Sequence, residues 1–404
     1  MSNTRPAWSI FQLGAREHYA IPRALAAHGI ESELVTDFWF GGPVRGLLPR
    51  SLKDRFHPGV TGRVRSFNRS MLAFEVKNRL AKRRGWPLME ARNRVFGRLA
   101  AAVTPARTVF SYSYAAGEIF ERARGESRLI LGQIDPAPFE QSLVEELHQR
   151  HGLRNPPRPS NDYWERWRRE VELADVIVVN SSWSRDALAG VGVPIEKVVV
   201  VPLAFERDAG PGCERRYPAK FSTERPLELL FLGQVIVRKG VYELLEAARQ
   251  LKNSPVRWTI VGGGDEGVMS RLAELPMVNV VGPVARSEAA RYYAQADAFL
   301  LPTHSDGFAL TQLEAAACGL PLIVSRFCGD VVRDTETGFV LREVTAEAIV
   351  EAIERILASP EQLAAMSKAV RELSEFSLPR IGQRLLEAAG EVQGQKREIH
   401  AGAV

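Results

Sequence analysis

The stretch Leu301-Pro-Thr-His-Ser-Asp-Gly-Phe-Ala-Leu-Thr-Gln-Leu-Glu-Ala-Ala-Ala-Cys-Gly-Leu-Pro321 decides how the rest of the chain is read. The apolar run Ala298 to Leu301 predicts a strand that stops at Pro302, and a loop carrying Asp306 and Gly307 follows. A helix is expected from near Ala309, with Glu314 about one and a half turns inside it, and the run Leu322 to Val324 supplies the next strand. Strand, loop, helix and strand in that order form the repeating unit of a parallel sheet covered on both faces.

The same unit recurs upstream. Strands are predicted at Leu227 to Leu232, Trp258 to Val261 and Val278 to Val281, with helices from Val241, Asp265 and Ser287 between them. In the first half, Trp8 to Leu13, Ile30 to Thr36, Thr108 to Tyr112, Arg128 to Leu131, Val176 to Val179 and Val198 to Val201 read as strands. A chain of 404 residues is long for one core and comfortable for two. The expected fold class is therefore α/β, with two doubly wound Rossmann-like domains facing a cleft. The expected boundaries are 1–205 for the first domain, 206–225 for a linker, 226–378 for the second domain, and 379–404 for a helix and tail packing back on the first. Such sheets bind ligands beyond the carboxyl ends of their strands.

Composition narrows the class. A hydrophobic fraction of 45% with 25% charged residues suits a globular protein and excludes a disordered or fibrous one. Met1 to Leu13 lacks the basic leader and apolar core of a secretory signal, and no apolar run approaches the roughly 18 residues of a bilayer span. A cytoplasmic protein is expected, at most peripheral to the inner face of a membrane. Cys213, Cys318 and Cys328 show neither disulfide nor zinc spacing and read as reduced thiols, and no metal site is expected.

Charge is unevenly placed. Between Arg45 and Arg107 there are sixteen Lys or Arg against three acids, Asp54, Glu75 and Glu90. This basic helical insertion, about 43–105, interleaves Phe67, Met71, Leu72, Phe74, Val76 and Leu80 with Arg69, Lys77, Arg79, Lys82, Arg83 and Arg84, as in a basic amphipathic helix. Contact with anionic lipid or an anionic acceptor and an ordinary solvated basic face are equally open readings. No nucleic-acid-binding motif accompanies the charge, so nucleic acid is not expected as a partner.

Three loops could hold a phosphorylated ligand. In Phe231-Leu-Gly-Gln-Val-Ile-Val-Arg-Lys-Gly240, Gly233 allows close backbone approach, while Arg238 and Lys239 bring two cations to the cleft edge. Val261-Gly-Gly-Gly-Asp265 places Gly262 and Gly263 between a strand and a helix. In the third loop the amides of Gly307, Phe308, Ala309 and Leu310 suit phosphate oxygens at a helix N-terminus, and Glu314 can accept from ribose hydroxyls. Read singly, these are a basic surface turn, glycine punctuation and an exposed helix acid. In the first half, Arg16, Glu17, His18 and Asp135 follow predicted strands. His18 suits an acceptor or a phosphate, or a local cap, and Asp135 in Gly132-Gln-Ile-Asp-Pro-Ala-Pro138 suits the acceptor side or a rigid turn.

Together, the acid at 306, seven spacers, Glu314 and then Ala-x-Ala-x-Gly-x-Pro resemble the retaining GT-B fold glycosyltransferases of the group 1 family. The likeness runs from about Leu227 to Ala358, through Lys239-Gly240, Val261-Gly262 and the segment Asp330 to Gly338; Glu170 to Ser184 and Lys197 to Pro202 resemble the family's last N-domain segments. It implies a UDP- or GDP-sugar donor, no required cofactor or metal, and a carbohydrate or lipid-linked acceptor, as in envelope polysaccharide or glycolipid synthesis. It also implies that Lys239 and Arg238 meet the donor diphosphate, Glu314 the ribose, and Asp306 the transferred sugar. His18 joins Asp306, Lys239 and Arg238 as a catalytic candidate. The chain departs from the family pattern at Asp306 in place of the usual glutamate, at Gln234 where many members have arginine, and at Gly14-Ala-Arg-Glu-His-Tyr19 in place of a glycine-rich loop. A catalytically silent nucleotide-sugar-binding scaffold and a nucleotide-sugar epimerase are the rival readings.

Overall fold

The computed structural model describes residues 6–42, 46, 49–206 and 215–391. Cys213, the centre of the expected linker and the tail from 392 lie outside the described residues. The first sheet contains β1 (Trp8–Gln12), β2 (Ser32–Thr36), β3 (Arg63–Ser66), β4 (Thr108–Tyr112), β5 (Arg128–Gly132), β6 (Val176–Val179) and β7 (Val198–Val200). Its spatial order is β3-β2-β1-β4-β5-β6-β7, parallel throughout. The second contains β8 (Leu227–Leu232), β9 (Val256–Val261), β10 (Val278–Gly282), β11 (Ala298–Leu301), β12 (Leu322–Ser325) and β13 (Gly338–Leu341), in the order β10-β9-β8-β11-β12-β13. The expected α/β class is observed in both halves.

Burial on both faces explains the continuous apolar strands. Ile10 and Phe110 enter one core of the first sheet, whereas Phe11 and Val109 enter the core on its other face. In each sheet the strand order reverses once, between β1 and β4 and between β8 and β11. A crevice opens at such a reversal, and it fixes where a ligand fits.

One element of the insertion differs from the sequence reading. Arg63–Ser66, assigned to the helical insertion, is an edge strand with Arg63 and Arg65 exposed, and Arg65 reaches Glu33 at 3.3 Å. Outward cations on a sheet edge discourage further strand pairing, and they also hide the strand's apolar alternation. After this strand the insertion continues as a hairpin of helices Asn68–Leu80 and Gly85–Ala101.

The chain crosses between the sheets at Leu203–Glu206 and again near Phe376, and Phe205 N–H donates to the Phe376 carbonyl at 2.7 Å. After the second crossing, helix Leu378–Ala388 lies against helix Ala20–Ala26, with Ile381 and Leu385 in the first domain's core. Gly382 permits this approach, because a Cβ there would lie 2.3 Å from the Ala24 carbonyl oxygen. Trp8 Nε1 and Thr108 Oγ1 donate to Glu391 at 3.1 and 2.8 Å.

Candidate functional site

The carboxyl ends of the two sheets face each other. Loops after β5 and β6 meet loops after β11 and β12: Ser182 N–H and Oγ donate to Asp330 at 2.9 and 2.6 Å, and Ser305 Oγ donates to Glu140 Oε2 at 2.8 Å. Gly307 has no side chain because the Ile134 carbonyl oxygen would stand 2.7 Å from its Cβ.

On the second domain's side, a 3₁₀ turn at Val237–Lys239 ends in Gly240, held in the left-handed region at φ 68°. That turn buries Lys239 and directs its ammonium onto Asp306. Arg238 instead donates to the Ser305 carbonyl and lies 3.6 Å from Glu140. Burial pushes the Glu140 carboxyl up, and the Arg238 guanidinium opposes that shift. A buried amine beside a single carboxylate costs desolvation that a structural role seldom requires, which makes Lys239 a functional candidate on physical grounds.

The glycines explain how the two neighbouring loops approach. Gly262, at φ 147°, would place a Cβ 1.7 Å from the Gly233 carbonyl oxygen, while a Cβ at Gly263 would meet only Pro283, at 3.6 Å. Gly233 N–H donates to Val261 and Val235 N–H to Gly263, so the loops after β8 and β9 are zipped together. The third loop differs from the expected phosphate cradle. Ala309 N–H already donates to the Cys328 carbonyl at 3.1 Å, and the Phe308 ring is buried beside Phe376. Gly307 and the start of helix Leu310–Ala317 still stand at the cleft.

Glu314 is fixed by two residues that the sequence reading did not single out. Tyr293 Oη donates to it at 2.8 Å and Arg286 lies 3.4 Å from it. Burial and the Glu314 charge both raise the Tyr293 hydroxyl, which therefore remains a donor. Their one sequence signal is the i, i+7 spacing of Arg286 and Tyr293, which places them on one face of helix Arg286–Gln295. Arg286 in turn contacts His18 Nε2 across the cleft. A cavity of about 720 Å³, lined by Glu17, His18, Arg23, Arg286, Tyr293 and Glu314 among others, opens beside this bridge. Its size suits a small organic ligand. Lys239 and Asp306 are not among its lining residues, so Glu314 and the Lys239–Asp306 pair mark separate parts of the cleft.

His18 does not begin a regular helix. Glu17, His18 and Tyr19 have φ of 50°, 50° and 60°, a run of left-handed residues that is costly for side chains with a Cβ. Gln12 Nε2 donates to the carbonyls of Gly14 and Arg16 at 3.0 and 2.9 Å, and Gly14 N–H donates to Asp37, which Arg55 also grips. This bracing holds the strained turn. Glu17 is half-buried, desolvation of its carboxyl raises its pKa, and it accepts from Tyr112 Oη at 3.0 Å. Asp135 accepts from Tyr114 Oη and from Ala137 N–H, and so serves the turn before helix Pro138–Arg150. Gln234 is exposed beside the Arg238 turn. Among the described residues no group of three His, Cys, Asp or Glu is arranged to hold a metal ion.

Burial, then Arg286 and then Arg23, lower the His18 pKa. The unfolded chain takes up this proton near the ordinary histidine value of about 6.5, and the folded chain only at lower pH. Stability from neutral His18 is thus present above that pH and is lost below it. Wild type and His18→Gln melted from pH 7.5 to 5.5, values that bracket about 6.5, are expected to show wild type losing stability relative to the variant as pH falls. Parallel curves would refute the assignment.

Residues 215–373 match the family model for glycosyl transferases group 1. A GDP-mannose-dependent alpha-(1-6)-phosphatidylinositol monomannoside mannosyltransferase of Mycolicibacterium smegmatis is 28% identical over 236 residues, covering 53% of this chain and 62% of that protein. A D-inositol 3-phosphate glycosyltransferase of Rhodococcus jostii is 29% identical over 238 residues, covering 54% of this chain and 53% of that one. The chain thus spans between half and two thirds of the length of these relatives. Among solved structures, sucrose-phosphate synthase from Thermosynechococcus elongatus superposes with a TM-score of 0.63 at 19% identity, covering 95% of this chain and 98% of that one. The catalytic domain of starch synthase IV from Arabidopsis thaliana gives 0.64 at 12% identity, covering 96% and 99%. Residues 215–373, which include most of the second domain, thus match the glycosyl transferases group 1 family, and the whole chain shares the two-sheet fold of these solved structures.

Proposed function

We propose that this chain transfers a hexosyl group from a nucleoside-diphosphate sugar to an acceptor hydroxyl with retention of anomeric configuration. The observation that carries the reading is the buried Lys239 paired with Asp306 at the carboxyl end of the second sheet, with Glu314 held by Tyr293 on the neighbouring helix. In this reading Glu314 accepts from the ribose hydroxyls, and Lys239 and Arg238 face the diphosphate. Asp306 lies beside the sugar.

The bond between the anomeric carbon and the departing phosphate oxygen breaks with positive charge building on the sugar. The acceptor oxygen forms its new bond on the same face, and its proton passes to the phosphate oxygen that leaves. Lys239 stabilises the charge that develops on that oxygen, an electrostatic contribution made without reorganisation. The names of the relatives, which act with GDP-mannose or on inositol phosphate and phosphatidylinositol, favour a hydroxylated, anionic or lipid-linked acceptor, as in envelope glycolipid or polysaccharide synthesis.

Thermal melting with a panel of UDP, GDP and ADP and their sugars tests the donor site. A ligand at 100 times its dissociation constant stabilises by about 2.7 kcal/mol. One nucleotide is expected to do so for wild type and not for Lys239→Ala, and its sugar is expected to turn over. Stabilisation without turnover against any acceptor would favour the silent scaffold; no stabilisation by any nucleotide would remove the donor site.

A further inference from the structure

Helix Asn68–Leu80 is anchored by one face only. Met71 and Asn78 are buried, and Glu75 grips Arg92 of the following helix at 2.7 and 2.9 Å. On the opposite face Leu72, Val76 and Leu80 are 55%, 51% and 79% exposed, and they are three of the four large hydrophobic residues exposed among the described residues. Their i, i+4, i+8 spacing makes them a single stripe. Exposed Arg69, Lys77 and Arg79 share that helix, and Lys82, Arg83 and Arg84 follow in the turn to helix Gly85–Ala101. None of these six cations has an ion-pair partner among the described residues, while the one acid in the stretch, Glu75, is already neutralised by Arg92.

An apolar stripe bordered by unpaired cations fits one kind of surface: apolar below the headgroups and anionic at their level. Position adds to this. Trp86, in the first turn after the cationic loop, lies edge-on to Tyr163 at 5.4 Å; Tyr163 stacks on Tyr114 at 4.8 Å; and Tyr114 Oη donates to Asp135 beyond the carboxyl end of β5. An unbroken line of contacts therefore leads from the basic hairpin to the mouth of the cleft. We infer that helix Asn68–Leu80 docks the protein on an anionic phospholipid bilayer, with Leu72, Val76 and Leu80 entering the interface. The first domain's side of the cleft is thereby held next to the membrane.

The test is co-sedimentation of the full chain with vesicles of phosphatidylcholine alone or mixed in equal parts with phosphatidylglycerol, in the absence of any donor, so that its outcome is independent of sugar transfer. Wild type is expected to bind the mixed vesicles and not the neutral ones. Binding should fall as salt rises from about 0.1 M to about 1 M, over which the screening length drops from about 10 to about 3 Å. Arg79→Glu/Lys82→Glu/Arg83→Glu is expected to weaken binding by at least about fivefold per residue replaced. Leu72→Ser/Val76→Ser/Leu80→Ser is expected to lose binding at low salt with an unchanged melting temperature, since these side chains support no core. Failure of wild type to bind the mixed vesicles, or full binding by the serine variant, would overturn the inference. So would a wild-type dimer, seen by sedimentation without vesicles, that the serine variant converts to monomer, because the stripe would then be covered by a second copy of the chain.

Discussion

Replacing Lys239 with alanine is expected to lower sugar transfer by about 10²- to 10³-fold, the usual cost of removing one preorganised group aimed at developing charge. The ammonium is buried and already directed onto Asp306, so it needs no rearrangement to meet negative charge arriving at that position. The same change strips Asp306 of its cation, and a melting experiment should register a loss of about 1 to 3 kcal/mol from that partly buried carboxylate. These two effects can be separated. Lys239→Ala combined with Asp306→Asn removes the unpaired charge, and it should recover most of the stability and none of the transfer. Single-turnover rates on donor identified by the melting panel are the measurement. Transfer within about threefold of wild type, less than 1 kcal/mol of transition-state stabilisation, would exclude Lys239 from the chemistry.

Gly240→Ala is expected to destabilise the second domain by about 3 to 5 kcal/mol, and with it to lose transfer. Two penalties act at this position. A Cβ prefers to avoid the left-handed region that Gly240 occupies at φ 68°, and it would also stand 1.8 Å from the Pro302 carbonyl oxygen. The only relief is to part the Lys239 turn from the strand end that leads to Asp306, which separates the proposed charge pair. The melting midpoint should fall by about 10 °C, at roughly 2 to 4 °C per kcal/mol for a domain of this size. Gly263→Ala serves as the control, because its Cβ would make only an ordinary contact with Pro283 at 3.6 Å and its change should stay near 0.5 kcal/mol. Equal losses in the two variants would show that the close approach at Gly240 is not what matters.

Both predictions concern residues visible in the sequence as a strand end followed by Arg-Lys-Gly, yet the reasons for them are of different origin. Gly240 could be recognised as a turn residue, but not as the only residue type that clears Pro302, which lies more than sixty positions later. The acid at 306 and Glu314 stood out in the sequence through the likeness of their segment to the group 1 family. Their partners were not: Tyr293 and Arg286 sit on the preceding helix, and nothing in that helix's composition distinguishes a carboxylate-holding tyrosine from a surface one. Similarly, the loop amides expected to receive phosphate were correctly placed at a helix start, but the bond from Ala309 to Cys328 depends on where the next strand's loop passes.

By itself the sequence determined the alternation of strands and helices, because a parallel sheet buried on both faces demands short apolar runs set between helical stretches. It also determined the family likeness of the second domain and the concentration of cations in one insertion. Only the tertiary structure decided that His18 meets Arg286 across the cleft and that Glu17, His18 and Tyr19 are strained together. It likewise decided that Leu72, Val76 and Leu80 face outward while Met71 faces in. Periodicity can divide a helix into faces, but which face is covered depends on packing partners far away in the chain, and those are set only when the sheets assemble.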